Sequence, residues 1–156
     1  MIKMRSMAPA ANAVRTPAGI VALLGFHGIE LPGRHVAVVG RGLTIGRPLA
    51  NLLSLKSPQG NAAVTVLHTG VRDIGAITRT ADVIVMAAGA PGLLTADMVA
   101  PGSVVVGAGV TFVDGKVVSD VADDVNEVAA WVTPRLGGVG PMTRAMLFAN
   151  AVAAAE

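Results

Sequence analysis

The sequence predicts an α/β fold: a doubly wound, mostly parallel sheet in three αβα layers. Three observations predict it. Short apolar runs at His35–Val39, Ala63–Leu67, Val83–Ala87 and Val104–Val106 alternate with segments of helical periodicity, the pattern of linked strand–helix units. Each run is followed by a glycine: Gly40, Gly70, Gly89 and Gly107. The 156 residues are 53% hydrophobic and 14% charged, which excludes disorder and suits strands covered on both faces.

The elements follow in order. Residues 1–14 carry little pattern and hold Met1, Met4 and Met7, so they read as a disordered leader or expression remnant ahead of one domain over 15–156. Thr16-Pro17 predicts a helix start, with threonine as the cap and proline in the first turn. Ile20, Leu23, Leu24 and His27 fall on one face, and Gly28 stops the helix. Leu31-Pro32-Gly33 loops into the first strand, His35–Val39. A helix over 46–56 turns Leu49, Leu52 and Leu53 inward. The turn at 57–61 leads to strand Ala63–Leu67, and a short helix over 74–80 leads to strand Val83–Ala87. Thr95 caps a short helical turn before strand Val104–Val106. Lys116–Val121 suggests an edge hairpin arm, Trp131–Thr133 a short strand, and Pro141–Ala155 a closing helix.

Composition removes several function classes. There is no cysteine, so disulfides, thiolate metal sites and cysteine nucleophiles are excluded, and no metal site is expected. The net charge is only +2, no basic run occurs, and aromatic residues are few, so a nucleic-acid partner is not expected. The apolar stretch 83–110 is broken by Gly89, Pro91, Gly92, Asp97, Pro101 and Gly102, so no membrane span is expected. Lys3 and Arg5 are not followed by an apolar run, so a cytoplasmic protein without a signal peptide is expected.

The richest stretch is His35-Val-Ala-Val-Val-Gly-Arg-Gly-Leu-Thr-Ile-Gly-Arg-Pro48. A strand ends in a glycine turn that opens into a helix, an arrangement that holds the pyrophosphate of a dinucleotide. Gly40 permits the sharp turn, Gly42 lets backbone N–H groups approach a phosphate, and Gly46 lets the helix pack closely. The spacing is G-x-G-x-x-x-G, one residue longer than the usual G-x-G-x-x-G. An ordinary strand-to-helix turn is the competing reading. Open parallel sheets bind ligands beyond the carboxyl ends of their strands, so the four glycine exits together suggest a backbone-lined cleft.

Sites for NAD commonly place an acid after the second strand, to bind the ribose 2′-hydroxyl. Here His68, Thr69, Gly70, Val71 and Arg72 follow that strand, and no acid occurs before Asp73. Arg41 and Arg72 suit a 2′-phosphate, so NADP is favoured over NAD. Arg72 as a solvated surface charge, and His68 as a half-buried strand-end residue rather than a contact to phosphate or hydroxyl, are the alternatives.

With these pieces in place, the chain resembles the cofactor-binding half of the bifunctional methylenetetrahydrofolate dehydrogenase/cyclohydrolase family. Thr16-Pro17-Ala18-Gly19-Ile20 is similar to the family's threonine-proline-x-glycine segment. Val39-Gly40-Arg41-Gly42-Leu43-Thr44-Ile45-Gly46-Arg47-Pro48 resembles its longer glycine turn, with Gly42 where the family has serine. Ala88-Gly89-Ala90-Pro91-Gly92 looks like the third-strand exit, and Gly137-Gly138-Val139-Gly140-Pro141-Met142-Thr143 is the most specific match. The resemblance spans about residues 16–155 and implies a Rossmann-like domain. It implies that Gly40, Arg41, Gly42, Thr44, Ile45 and Gly46 hold the pyrophosphate and adjoining ribose. It adds His68, Thr69, Arg72, Ala88, Gly89 and Gly109 as cofactor contacts, with Gly138, Val139 and Thr143 orienting the nicotinamide.

Departures accompany the match. Gly107-Ala108-Gly109-Val110-Thr111 stands where the family has aspartate-valine-glycine-isoleucine-asparagine, and Pro134-Arg135-Leu136 where it has proline-valine-proline. The family's folate-binding domain, with its paired tyrosine and lysine, has no counterpart: there is no tyrosine, and Lys3, Lys56 and Lys116 lie in other contexts. No catalytic residue is therefore assigned. The resemblance implies an NADP-binding portion, inactive alone, that meets a folate only with a partner catalytic domain. A non-catalytic dinucleotide-binding module and a self-associating domain, such as a homodimer, are the alternatives.

Overall fold

The computed structural model describes residues 15–155, so the leader expected over 1–14 lies outside the described residues. The elements run α1 (Arg15–Phe26), β1 (His35–Val39), α2 (Gly46–Ser54), β2 (Ala63–Leu67), α3 (Ile74–Thr78), β3 (Val83–Met86), β4 (Val104–Gly107), β5 (Val110–Val113), β6 (Lys116–Ser119), β7 (Trp131–Val132) and α4 (Val139–Ala155). Two 3₁₀ turns, Ala96–Met98 and Asp123–Glu127, interrupt the connections.

Five strands form one sheet in the order β2-β1-β3-β4-β7, and every pairing in it is parallel. The register sets Val39 beside Leu67 on one side and Met86 on the other. Side chains alternate across a strand, so the valine-rich runs feed two cores at once. Val36, Val38, Val83, Val85, Val104 and Val106 face α1, α2 and the start of α4. Ala37, Val39, Ile84, Met86 and Val105 face the opposite way, with Leu94, Val99 and Val125. The layers are unequal. Among the described residues one face carries α1, α2 and the start of α4, and the other carries α3, the two 3₁₀ turns and loop residues. The edge strand β2 is mostly half-buried or exposed, unlike the fully buried β3.

Local chemistry explains the helix ends. Gly28 adopts φ +69°, its N–H donates to Gly25 O at 3.1 Å, and Ile29 N–H donates to Leu24 O at 2.9 Å. This is the Schellman closure that glycine makes cheaply. An ideal Cβ on Gly19 would lie 3.2 Å from the Met142 carbonyl carbon, so the glycine lets α1 and α4 cross closely.

Several expectations change. Helix α1 already includes Arg15, so Thr16 sits inside the first turn rather than at its cap, and its Oγ1 lies 3.2 Å from Thr143 Oγ1. His27 is exposed and lies in the turn just past the end of α1, its ring tilted against Trp131 at 4.8 Å. Leu49 and Leu53 are buried, whereas Leu52 is half-buried. Helix α2 ends at Ser54 and α3 at Thr78, shorter than the pattern suggested. Thr95 makes no capping bond; its hydroxyl donates to Asp97 Oδ1 at 2.5 Å instead. The true cap nearby is Asp73, whose Oδ1 accepts from Ala76 N–H at 2.8 Å. The hairpin arm expected over Lys116–Val121 forms as Lys116–Ser119; it pairs antiparallel with β5 in a two-stranded sheet apart from the main one. Asp114 and Gly115 close that hairpin with φ +49° and +74°, the two-residue turn that matches strand twist. Helix α4 starts at Val139, two residues before Pro141, which the first turn tolerates because a residue there makes no helical N–H bond for proline to lose.

Candidate functional site

The site grows from the end of β1. Gly40 turns the chain at φ +125°, and a Cβ there would overlap Ala87 O at the exit of β3. At Gly46, the first residue of α2, a Cβ would overlap the carbonyl of Gly40. Both glycines are required by close backbone approach. Gly42 differs, since a Cβ there would meet nothing within 4 Å. Its lack of a side chain leaves the mouth of the turn open but is not demanded by the chain itself.

The turn is rich in free donors. Among the described residues, the N–H groups from Arg41 through Gly46 have no acceptor in the chain. Ile45, at the cap of α2, offers no side-chain oxygen to the helix start. Helix starts carry orphan N–H groups and partial positive charge, so this uncapped end is built for an anion. The order β2-β1-β3 reverses chain direction across the sheet at β1, which is where open α/β sheets bind ligands.

An open cavity of about 420 Å³ lies there. Gly42, Thr44, Ile45 and Gly46 form one wall from the turn, and Ala88, Gly89 and Gly109 form the other from the exits of β3 and β4. Ala87, Ala108 and Val110 complete the lining and were not among the sequence candidates. Gly40 and Arg41 belong to the same turn but do not line the cavity, and Arg41 is exposed. His68, Thr69 and Arg72 follow β2, on the other side of β1; His68 is half-buried, its Nδ1 accepts from Gly70 N–H at 3.0 Å, and Arg72 is exposed.

Gly138, Val139 and Thr143 sit apart from the cavity lining, at the start of α4. Val139 is buried in the core, and a Cβ on Gly138 would lie 2.6 Å from Pro134 O. Thr143 Oγ1 donates to Val139 O at 3.1 Å. Arg135 pairs with Asp123 at 2.5 Å beside a second hollow of about 470 Å³, so the departure at 134–136 fastens this loop to the Asp123–Glu127 turn.

The wall formed by the β3 and β4 exits has no free amides to offer. Ala88 N–H and Gly89 N–H donate to Asp120 Oδ2 at 2.8 and 2.9 Å, and Ala108 N–H and Gly109 N–H both donate to Met86 O at 2.8 Å. Sequence reasoning missed Asp120. It is fully buried just after β6, and its Oδ1 has no hydrogen-bond partner. The position equivalent to the resembled family's aspartate is Gly107, yet a carboxylate reaches this wall from Asp120. The one available signal was a lone acid in the apolar run Val117-Val118-Ser119-Asp120-Val121.

Among the described residues no group of three or more His, Asp or Glu could hold a metal ion, and no helix is long and apolar enough to cross a membrane.

Comparison with known proteins agrees with this geometry. The family described as tetrahydrofolate dehydrogenase/cyclohydrolase, NAD(P)-binding domain, matches residues 14–156. The bifunctional protein FolD of Syntrophotalea carbinolica is 55% identical over 141 residues, covering 90% of this chain and 49% of that protein. The crystal structure of the bifunctional FolD methylenetetrahydrofolate dehydrogenase/cyclohydrolase from Campylobacter jejuni superposes with a TM-score of 0.84 at 41% identity, over 90% of this chain and 49% of that one. The Trypanosoma brucei FolD, solved with NADP and an inhibitor, gives 0.79 at 38% identity, over 88% and 48%. The chain thus spans about half the length of the relatives it matches.

Proposed function

Because this chain belongs to the tetrahydrofolate dehydrogenase/cyclohydrolase family, as its NAD(P)-binding domain, we propose that it binds NADP in the cavity over β1, β3 and β4 and serves hydride transfer on a folate. The observation that carries this reading is the uncapped start of α2, with consecutive N–H groups from Arg41 to Gly46 lacking any acceptor among the described residues. A pyrophosphate supplies those acceptors and sits at the positive helix end. The residues fit the group: Gly42 leaves the mouth open, and the close approach of Gly46 to Gly40 shapes the turn.

Arg41 and Arg72 are exposed cations at the adenosine end and would meet the 2′-phosphate. The first acid after β2 in the sequence, Asp73, caps α3 by accepting from Ala76 N–H through Oδ1 at 2.8 Å. His68 and Thr69 would lie beside the same ribose. Gly138, Val139 and Thr143 would hold the nicotinamide end from the start of α4. Bound NADP supplies the hydride acceptor; this chain contributes position and orientation, which are worth much of the rate. The folate and the group that moves protons in the cyclohydrolase step would come from the half of the fold outside these residues. The cytoplasmic setting expected from sequence belongs to the same reading.

Calorimetry with NADP and NAD tests the binding step: NADP should bind more tightly, and no binding of either overturns the reading. The chain alone should show almost no turnover of methylenetetrahydrofolate with NADP, and a folate-binding half added in trans should restore it. Binding without restored turnover would favour a non-catalytic module. Self-association is supported by exposed apolar residues, Phe112 at 73% on the hairpin and Phe148 at 71% on α4, and sedimentation should then show a dimer.

A further inference from the structure

We propose that Asp120 sets the redox preference of the bound dinucleotide, favouring the oxidised, cationic nicotinamide over the reduced, neutral one. The inference rests on the dinucleotide reading above and concerns the opposite end of the ligand from the pyrophosphate. With the pyrophosphate at the β1–α2 turn and the adenosine arm over β2, the remaining arm runs over the exits of β3 and β4. Ala88, Gly89 and Gly109 form the wall there. Asp120 lies directly behind it.

The wall is thin. Gly109 has no Cβ, and one built there would overlap Asp120 Oδ2. The carboxylate is fully buried, and among the described residues no cation pairs with it, the one ion pair being Arg135–Asp123. Two amides, Ala88 N–H and Gly89 N–H, satisfy Oδ2, while Oδ1 has no partner. Water therefore screens this charge poorly, and its field extends through the glycine wall into the cavity. A ring that carries a positive charge gains from that field, whereas a neutral ring does not. The pyrophosphate is common to both forms, so its repulsion cancels in the comparison.

A purely structural role would not require the charge. An asparagine could accept from the same two amides with its carbonyl oxygen and would place an amide nitrogen where Oδ1 stands alone. Burying a carboxylate without a cation is costly, and accepting from two amides does not by itself call for the charge.

The test is a titration of the full chain with oxidised and reduced NADP, for the wild type and Asp120→Asn. The expected result is that the ratio Kd(reduced)/Kd(oxidised) falls about three- to tenfold in the variant, mostly through weaker binding of the oxidised form. A tenfold change corresponds to about 30 mV in the potential of the bound two-electron couple. Both constants moving together, or neither moving, overturns the proposal and leaves a structural role. Should Asp120→Asn fail to fold, Asp120→Ser, which removes the charge and keeps a small oxygen acceptor beside the Ala88 and Gly89 amides, is titrated instead. The same ratio should fall in that variant; an unchanged ratio overturns the proposal. Wild-type protein that binds neither form overturns the dinucleotide reading itself and this inference with it, whereas tight binding with redox-blind variants overturns the inference alone.

Discussion

Gly46 and Gly42 look alike in sequence but stand in different physical situations. A Cβ on Gly46 collides with the Gly40 carbonyl, so the turn must open to accept it. Gly46→Ala should cost roughly 1–3 kcal/mol of stability by urea unfolding and weaken NADP at least about tenfold by calorimetry. A Cβ on Gly42 meets only open space, so Gly42→Ser should hold stability within about 0.5 kcal/mol. The sequence pattern named both glycines but could not rank them, because the rank depends on which backbone lies opposite. Asp120 was illegible for the same reason. Its one local mark is an acid in an apolar run; its meaning comes from Ala88 and Gly89, some thirty residues earlier in the chain, from whose amides it accepts.

The elements themselves were largely readable, because valine runs and helical spacing report burial directly. Helix ends were not, since a capping residue is known only by the bond it makes. Thr95 was the expected cap and turns instead to Asp97, whereas Asp73 caps α3. Asp73→Ala should therefore destabilise by about 0.5–2 kcal/mol, and Thr95→Ala by clearly less, when both are compared by thermal unfolding. Gly28→Ala should cost about 1 kcal/mol, because φ +69° strains a residue with a Cβ. The hairpin β5–β6 was half seen. Asp114-Gly115 is the turn signal that gives it away, and the strand before that turn was overlooked because its residues Val110, Phe112 and Val113 are exposed, outside the buried pattern.

At the scale of the molecule, ligand binding and folding are coupled. NADP at about one hundred times its Kd should add roughly 2.7 kcal/mol of stability, which for a chain of this size raises Tm by roughly 5–10 °C in a calorimetric scan. NAD at equal concentration should raise it less, and Arg72→Ala should narrow the gap between the two by removing a cation suited to the 2′-phosphate. An NAD shift equal to that of NADP would contradict the assignment of Arg41 and Arg72. The amino-acid sequence by itself determined the layered parallel sheet, the glycine turn and the family to which the chain belongs, because periodicity and backbone freedom are properties of neighbouring residues. Tertiary structure alone decided which amides stay free at α2, which are already taken at β3 and β4, and that a buried carboxylate stands behind Gly109. Those are facts about partners far apart in the chain, and only the packed sheet brings them within hydrogen-bond distance.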